Sequence, residues 1–365
     1  MRKVAVAAMA VAAAASLWLG CTIWNDAELP AVAELPDASS SSSGGESGVT
    51  PTGCERAPID AAVPPSTMGT GGNIDIVVAV EKITLGSTKG KIDRDFGYDL
   101  DGVCAPSCIS KVDASALEGN LGRDDAMGVM LASLPLKQDP ADYANESFKT
   151  GGIGILARIE DYNGQAFDDD VLFSLYRTTM TEGGGAPNFA DPEQAWMVDT
   201  TDLKFGSGSD FTSNTSGHGF VRNHQLVVSG LESSRIPFNG DSDILLKRVT
   251  FTADLEEDKA IGRWRVKNAI GVGRWASKDA LETMAHVRDP NDDQKRLCQN
   301  PALLALAKQV VCSSMDLNVS SDNGANACNA LSAAVKFDTA PARLGTKDTP
   351  VREEACEGIV IGDCN

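Results

Sequence analysis

Gly151-Gly-Ile-Gly-Ile-Leu-Ala-Arg-Ile-Glu-Asp161, then Asn163-Gly164, then Val171-Leu-Phe-Ser-Leu175, is the stretch on which the reading of the fold turns. Ile153, Ile155, Ala157 and Ile159 alternate with Leu156, Arg158 and Glu160, the period of a half-buried strand. Asn163-Gly164 supplies residues that tolerate positive φ, and Val171, Phe173 and Leu175 resume the alternation beyond Asp168–Asp170. The pair reads as a β-hairpin with a loop longer than two residues.

Outward from this hairpin the same period recurs. Asn73–Leu85 is apolar on both faces, as in an interior strand. Phe220–Ser229 reads as a further strand, and Asp243–Asp254 as a longer one with Leu245, Val249, Phe251 and Ala253 on one face. Glu256-Glu257-Asp258 is its turn, with Ala260–Val266 pairing back. Helical periodicity begins at residue 275: Ser277 is placed to cap a first helix, Asn300-Pro301 opens a second that runs to Cys312, and Asn326–Lys336 suggests a short third. The expectation is a mainly β protein, an antiparallel β-sandwich or jelly-roll-like body over residues 73–274, with a small disulfide-stapled helical cap over residues 275–365.

The N-terminus predicts export. Arg2-Lys3 precedes an apolar, alanine-rich run, Val4–Leu19, shorter than the roughly 20 residues of a spanning helix, and Gly20-Cys21 follows where a lipoprotein signal is cut. Trp18 departs from the small aliphatic residue usual three places before that cysteine. Residues 1–20 therefore read as a lipoprotein-type signal and Cys21 as the lipidation site. Residues 21–72 read as an acidic tether rich in Ser, Pro and Gly that offers nothing to bury.

The chain has nine cysteines. With Cys21 acylated the remainder is even: Cys54, Cys104, Cys108, Cys298, Cys312, Cys328, Cys356 and Cys364, candidates for up to four disulfides in an oxidising compartment. Their connectivity is open. Cys104-x₃-Cys108 lacks a second pair spaced to complete a zinc site, so a small disulfide loop is the better reading.

Net charge is −19, and cleavage before Cys21 removes two further basic residues. Such a chain is repelled by phosphate backbones, which argues against a nucleic-acid partner. The densest acidic cluster, Asp93, Asp95, Asp99 and Asp101 with Asp124 and Asp125, offers oxygen ligands of the kind Ca²⁺ accepts. It is no EF-hand: placing Asp99 and Asp101 at the third and fifth loop positions puts Cys108 where the bidentate Glu belongs. The plain alternative is a solvated acidic loop.

Two Gly-Arg-Trp triplets recur, with Arg263-Trp264 and Arg274-Trp275 placed either as a flat platform for sugar rings or as filling between sheet and helices. His218, His224 and His286 are the only histidines, and no Gly-x-Ser-x-Gly elbow accompanies them. The familiar hydrolase cue is therefore absent.

Gly20-Cys21, the Ser-rich tether, Asp99-Leu-Asp-Gly102, Gly122-x-Asp-Asp125, Gly-Arg-Trp before a helix, and Pro341-Ala-Arg-Leu-Gly345 together resemble a group of uncharacterised predicted lipoproteins of Gram-negative bacteria, for which no activity is known. The resemblance implies attachment to the membrane through the N-terminal lipid, and Thr22 after the acylated cysteine resembles the outer-membrane pattern. The expected role is structural or binding, toward a cell-surface glycan or another envelope protein. A carbohydrate-binding module or glycan-active hydrolase is the first alternative and calcium-dependent adhesion the second.

Overall fold

The computed structural model describes residues 72–88, 91–101, 123–134, 139–204, 211–238, 242–289, 292–320, 327–350, 356, 359 and 361–364. All belong to one compact unit, Pro51–Asn365. The expected signal, Cys21 and nearly all of the expected tether lie outside the described residues, as do Cys54, Cys104 and Cys108.

Among the described residues, fourteen strands and four α-helices follow in order. The strands are β1 (Ile74–Leu85), β2 (Ser87–Thr88), β3 (Lys91–Ile92), β4 (Gly154–Tyr162), β5 (Phe167–Thr181), β6 (Ala195–Asp199), β7 (Thr215–Arg222), β8 (Gln225–Pro237), β9 (Asp243–Asp258), β10 (Arg263–Ala276), β11 (Arg288–Asp289), β12 (Asp292–Arg296), β13 (Ala330–Pro341) and β14 (Arg343–Asp348). The helices are α1 (Ala126–Ser133) and α2 (Pro140–Thr150) between β3 and β4, and α3 (Ser277–Ala285) and α4 (Pro301–Ser313) between β10 and β13.

Eight strands close on themselves. Each of β1, β4, β5, β7, β8, β9, β10 and β13 is antiparallel to the next, and β13 returns to pair with β1 from Val78↔Pro341 to Leu85↔Val335. The result is an up-and-down barrel, which corrects the expected sandwich or jelly roll. A sandwich leaves sheet edges, whereas closure pairs both edges of each of these eight strands. The long β5 serves both the barrel and an outboard extension: Phe167–Leu175 pairs with β7, while Thr178–Thr181 pairs with β6, to which β14 adds in parallel.

Bulges supply the curl that closure needs. In β1 the register shifts between Val80 and Lys82, so Ile76, Val78 and Val80 face the core before the bulge and Ile83 and Leu85 after it. In β9, Arg248 adopts φ 50° and the inward set changes from Ile244 and Leu246 to Val249, Phe251, Ala253 and Leu255. Leu245, expected on the inner face, is therefore turned outward. The interior is filled by side chains, with Phe173 stacked on Phe251 at 4.5 Å and Phe337 and Trp275 in the same cluster.

Three expectations about local structure change. Phe220–Ser229 is not one strand: Asn223 and His224, both at positive φ, turn β7 into β8. Ser277 does not cap α3; its hydroxyl donates to Asp363, and Ala276 stands at the cap without a side-chain bond. Residues 330–341 form β13 rather than a short helix. Their alanines favour helix locally, but Leu331, Ala333, Val335 and Phe337 point into the barrel while Ala330, Ser332 and Ala334 are covered outside, so burial on both faces overrides propensity. The Asn300 cap and Pro301 start of α4 are as read.

A second, smaller apolar cluster lies on the outside of β1, β4 and β5, where β6 and β14 lay Trp196, Val198 and Leu344 over Ala79, Leu156 and Tyr176. Beside it Arg177 is buried in an ionic network: its Nη1 donates to Asp243, its Nε lies 3.8 Å from Asp199, and its backbone N–H donates to Asp202 at 2.7 Å.

Candidate functional site

The acidic loop lies against the outer face of β10 and β13. Phe96, Tyr98 and Leu100, at alternate positions of an extended segment, pack on Val272, Ile270 and Ala334. The Tyr98 hydroxyl shares a 2.7 Å hydrogen bond with Thr252, and burial pushes its pKa above the usual tyrosine value. Gly97 has φ 88°, and a Cβ there would lie 2.6 Å from the Asp124 carbonyl oxygen, so the loop needs glycine at this crossing.

Two bonds stitch the segment to residue 124: the Asp124 N–H donates to the Tyr98 carbonyl at 3.1 Å, and the Leu100 N–H donates to Asp124 Oδ2 at 2.6 Å. This brings one ligand oxygen from each of Asp99, Asp101 and Asp124 within 4.8 Å of one another, with Asp124 fully buried. Three of the six acids singled out from the sequence therefore converge.

The other three do not join them. Asp93 and Asp95 are exposed; Asp93 accepts the Asp95 N–H at 3.0 Å, and Arg123 donates to the Asp95 carbonyl. Asp125 turns into the protein as the cap of α1, where Oδ1 accepts from Gly128 N and Ala334 N, both at 3.3 Å. Burial raises its pKa to about 8 against those two bonds, with the charges of Asp316 and Asp93 adding to the rise.

Asp316 sits under the same loop and was not singled out from the sequence. It accepts from Ser332 N at 2.7 Å and from Ser332 Oγ at 2.5 Å, and the Ser332 oxygen in turn accepts the Ala126 N–H at 2.7 Å. Burial raises its pKa to about 7. The only sequence cue was an acid between apolar residues, Met315-Asp-Leu317, just past a helix end.

Arg274 reaches this region from β10. It is buried, donating from Nη1 to the Asn318 carbonyl at 2.5 Å and from Nη2 to the Leu100 carbonyl at 3.0 Å. Trp275 beside it points into the barrel and is 1% exposed. Arg263 lies at the other end of β10 in an ion pair with Glu193, which Arg343 also contacts at 2.8 Å; the hydrogen bond from Arg263 holds the Glu193 pKa below its ordinary value. Trp264 packs edge-on against Tyr162 at 5.0 Å. Eleven residues of strand separate the two tryptophans by about 35 Å, so the two Arg-Trp pairs lie apart and do not share one platform.

Among the histidines, His218 is exposed and bonds Asp170 at 2.6 Å, His224 lies 3.2 Å from the Tyr162 hydroxyl, and His286 lies 2.9 Å from the Glu282 carbonyl. Gly217, beside His218, leaves room for Leu231: a Cβ there would lie 2.5 Å from its side chain.

The C-terminal residues are cross-linked. Cys298–Cys356 and Cys312–Cys364 span 58 and 52 residues, with Cα separations of 5.9 and 5.4 Å, within the usual range for disulfides. The first lies on α3 beside Ala285, and Cys328 is disulfide-bonded as well. Compared with known proteins, the chain matches no family model, no curated protein and no solved structure.

Proposed function

We propose that this chain is an exported cell-envelope protein, anchored by lipid on Cys21 in the outer membrane of a Gram-negative bacterium, whose cross-linked barrel serves a non-enzymatic binding or structural role. The observation that carries this reading is the pair of disulfides Cys298–Cys356 and Cys312–Cys364, since such bonds persist where the surroundings are oxidising. A barrel packed solid with Phe173, Phe251, Phe337 and Trp275 supports it further, because such a body offers its outer face to partners. Intact-mass and peptide mass spectrometry of the protein from its native envelope test the reading. A mature chain beginning at diacylated or triacylated Cys21, with residues 298, 312, 356 and 364 oxidised, is expected; full-length protein with free thiols would overturn it.

One observation favours a second reading, calcium-dependent adhesion: the convergence of Asp99, Asp101 and Asp124. Three carboxylates give a hard cation a charged core, to which backbone carbonyls or water must add to reach six to eight oxygens. Calorimetry of chelator-treated protein with Ca²⁺ is expected to show saturable heat that Asp124→Asn abolishes. Heat that is absent, or unchanged in the variant, removes calcium from the account.

A further inference from the structure

On the outside of the barrel, β4, β5 and β7 present a small lattice of side chains fixed by strand register. Arg158 stands opposite Ser174, and Ser174 opposite Ser216; one step along, Glu160 stands opposite Leu172, and Leu172 opposite His218. Phe211 and Thr212 wall this lattice on one side, and the Tyr176 hydroxyl holds the wall by donating to the Phe211 carbonyl at 2.8 Å. Together they enclose an open groove of about 450 Å³, lined by Arg158, Glu160, Leu172, Ser174, Phe211, Thr212 and Ser216. That volume lies within the range of small-molecule sites, roughly 300–1,000 Å³.

The groove's charges select its ligand. Arg158 is clamped from both sides: its Nε and Nη2 donate to Asp75 at 2.7–3.2 Å, and its Nη1 lies 2.9 Å from Glu160. One guanidinium thus meets two carboxylates, and two ammonium groups stand at the opposite side: Lys204 Nζ donates to Ser216 Oγ at 3.4 Å, and Lys347 Nζ lies 5.1 Å from the centre of the Phe211 ring. An anionic ligand would compete with Asp75 and Glu160 for Arg158, on a chain already at −19. A cationic one would compete with Arg158 for the same carboxylates. Neutral hydroxyls suit the site, because Glu160 and the exposed Thr212 hydroxyl can accept or donate without displacing Arg158, while Leu172 offers carbon surface to a ring face.

We propose that this groove is a binding site for a neutral saccharide of one or two rings, at a place distinct from both Arg-Trp pairs. The site would exist whatever the fate of Cys21, so it stands apart from the envelope reading. Binding is expected to be weak, with Kd on the order of 1 mM, because the groove is open.

The test is titration calorimetry on the full chain with disulfides intact, using cellobiose, maltose and N,N′-diacetylchitobiose as neutral probes, galacturonate as the anion and glucosamine as the cation. At least one neutral probe is expected to saturate, with the charged sugars at least tenfold weaker. Thr212→Trp, on the exposed wall, is expected to weaken the neutral probe at least tenfold while leaving the melting temperature unchanged, and Glu160→Gln to weaken it several-fold. No saturation by any neutral probe, preference for either charged sugar, or binding that survives Thr212→Trp in a folded protein overturns the proposal. Loss of binding here would leave the mass-spectrometric test of the anchor untouched.

Discussion

Two clusters of buried acids in this protein are stabilised in opposite ways. Around Arg177, the carboxylates of Asp199 and Asp243 approach one buried guanidinium, and Arg235 approaches Asp243 from the solvent side at 3.7 Å; Asp202 beside them accepts the Arg177 backbone N–H, and burial raises its pKa. Under the acidic loop, Asp125 and Asp316 are as deeply buried; Asp125 accepts from two backbone N–H groups, Asp316 accepts from the Ser332 N–H and hydroxyl, and burial raises their pKa values to about 8 and about 7. Taking a carboxylate out of water has to be offset by a cation or by a proton. The first cluster uses the cation, and the second holds its protons near neutral pH.

If that contrast is right, the two clusters respond to different insults. Replacing Arg177 by Met keeps the apolar stem but strands the acids around it, and breaking a buried pair on one side costs about 3–5 kcal/mol. Urea unfolding of Arg177→Met at pH 7 is expected to show a loss of that size, and adding Asp243→Asn to recover part of it. A single-variant loss under about 1 kcal/mol would mean that the network is better hydrated than its burial implies, and the contrast would fail on its first half.

Much of this was legible in the sequence, and what was not has identifiable physical reasons. β1, β4 and β5 follow from period-2 alternation, and α4 from Asn300-Pro301. Asp139-Pro140 carries the same signal for α2, where Asp139 Oδ1 accepts the Ala141 N–H at 2.9 Å, but the β-rich sequence around it masks the cue. The barrel itself was hidden by its bulges, since one extra residue at Arg248 or beyond Val80 swaps the inward face midway along a strand. That swap erases the long alternation that would have marked one continuous closed sheet. In the acidic loop, Phe96, Tyr98 and Leu100 set the alternation that turns Asp99 and Asp101 to the same side. The placement of Asp124 depends on one bond from its backbone N–H and one to its carboxylate, across 26 and 24 positions, which no local pattern records.

The second half of the contrast is tested by pH, and its expected effect is smaller. Asp125 has a folded pKa of about 8, against about 3.9 in an unfolded chain. Between those values the folded state holds a proton that the unfolded state has released, so the linkage slope is negative: stability is greatest below about pH 4 as far as this group is concerned, and falls as pH rises toward 8. Asp316 adds a fall of the same sign that ends near pH 7. One fully linked group changes stability by about 1.4 kcal/mol per pH unit, so Asp125 alone accounts for about 2 kcal/mol between pH 5.5 and 7. Asp125→Asn keeps an acceptor for the Gly128 and Ala334 N–H groups and removes the titration. Its unfolding free energy, followed across that interval, is expected to decline less than that of the parent chain by about this amount. Parallel profiles for the two proteins would show that Asp125 is ionised in the fold, and both clusters would then have to be explained by pairing alone.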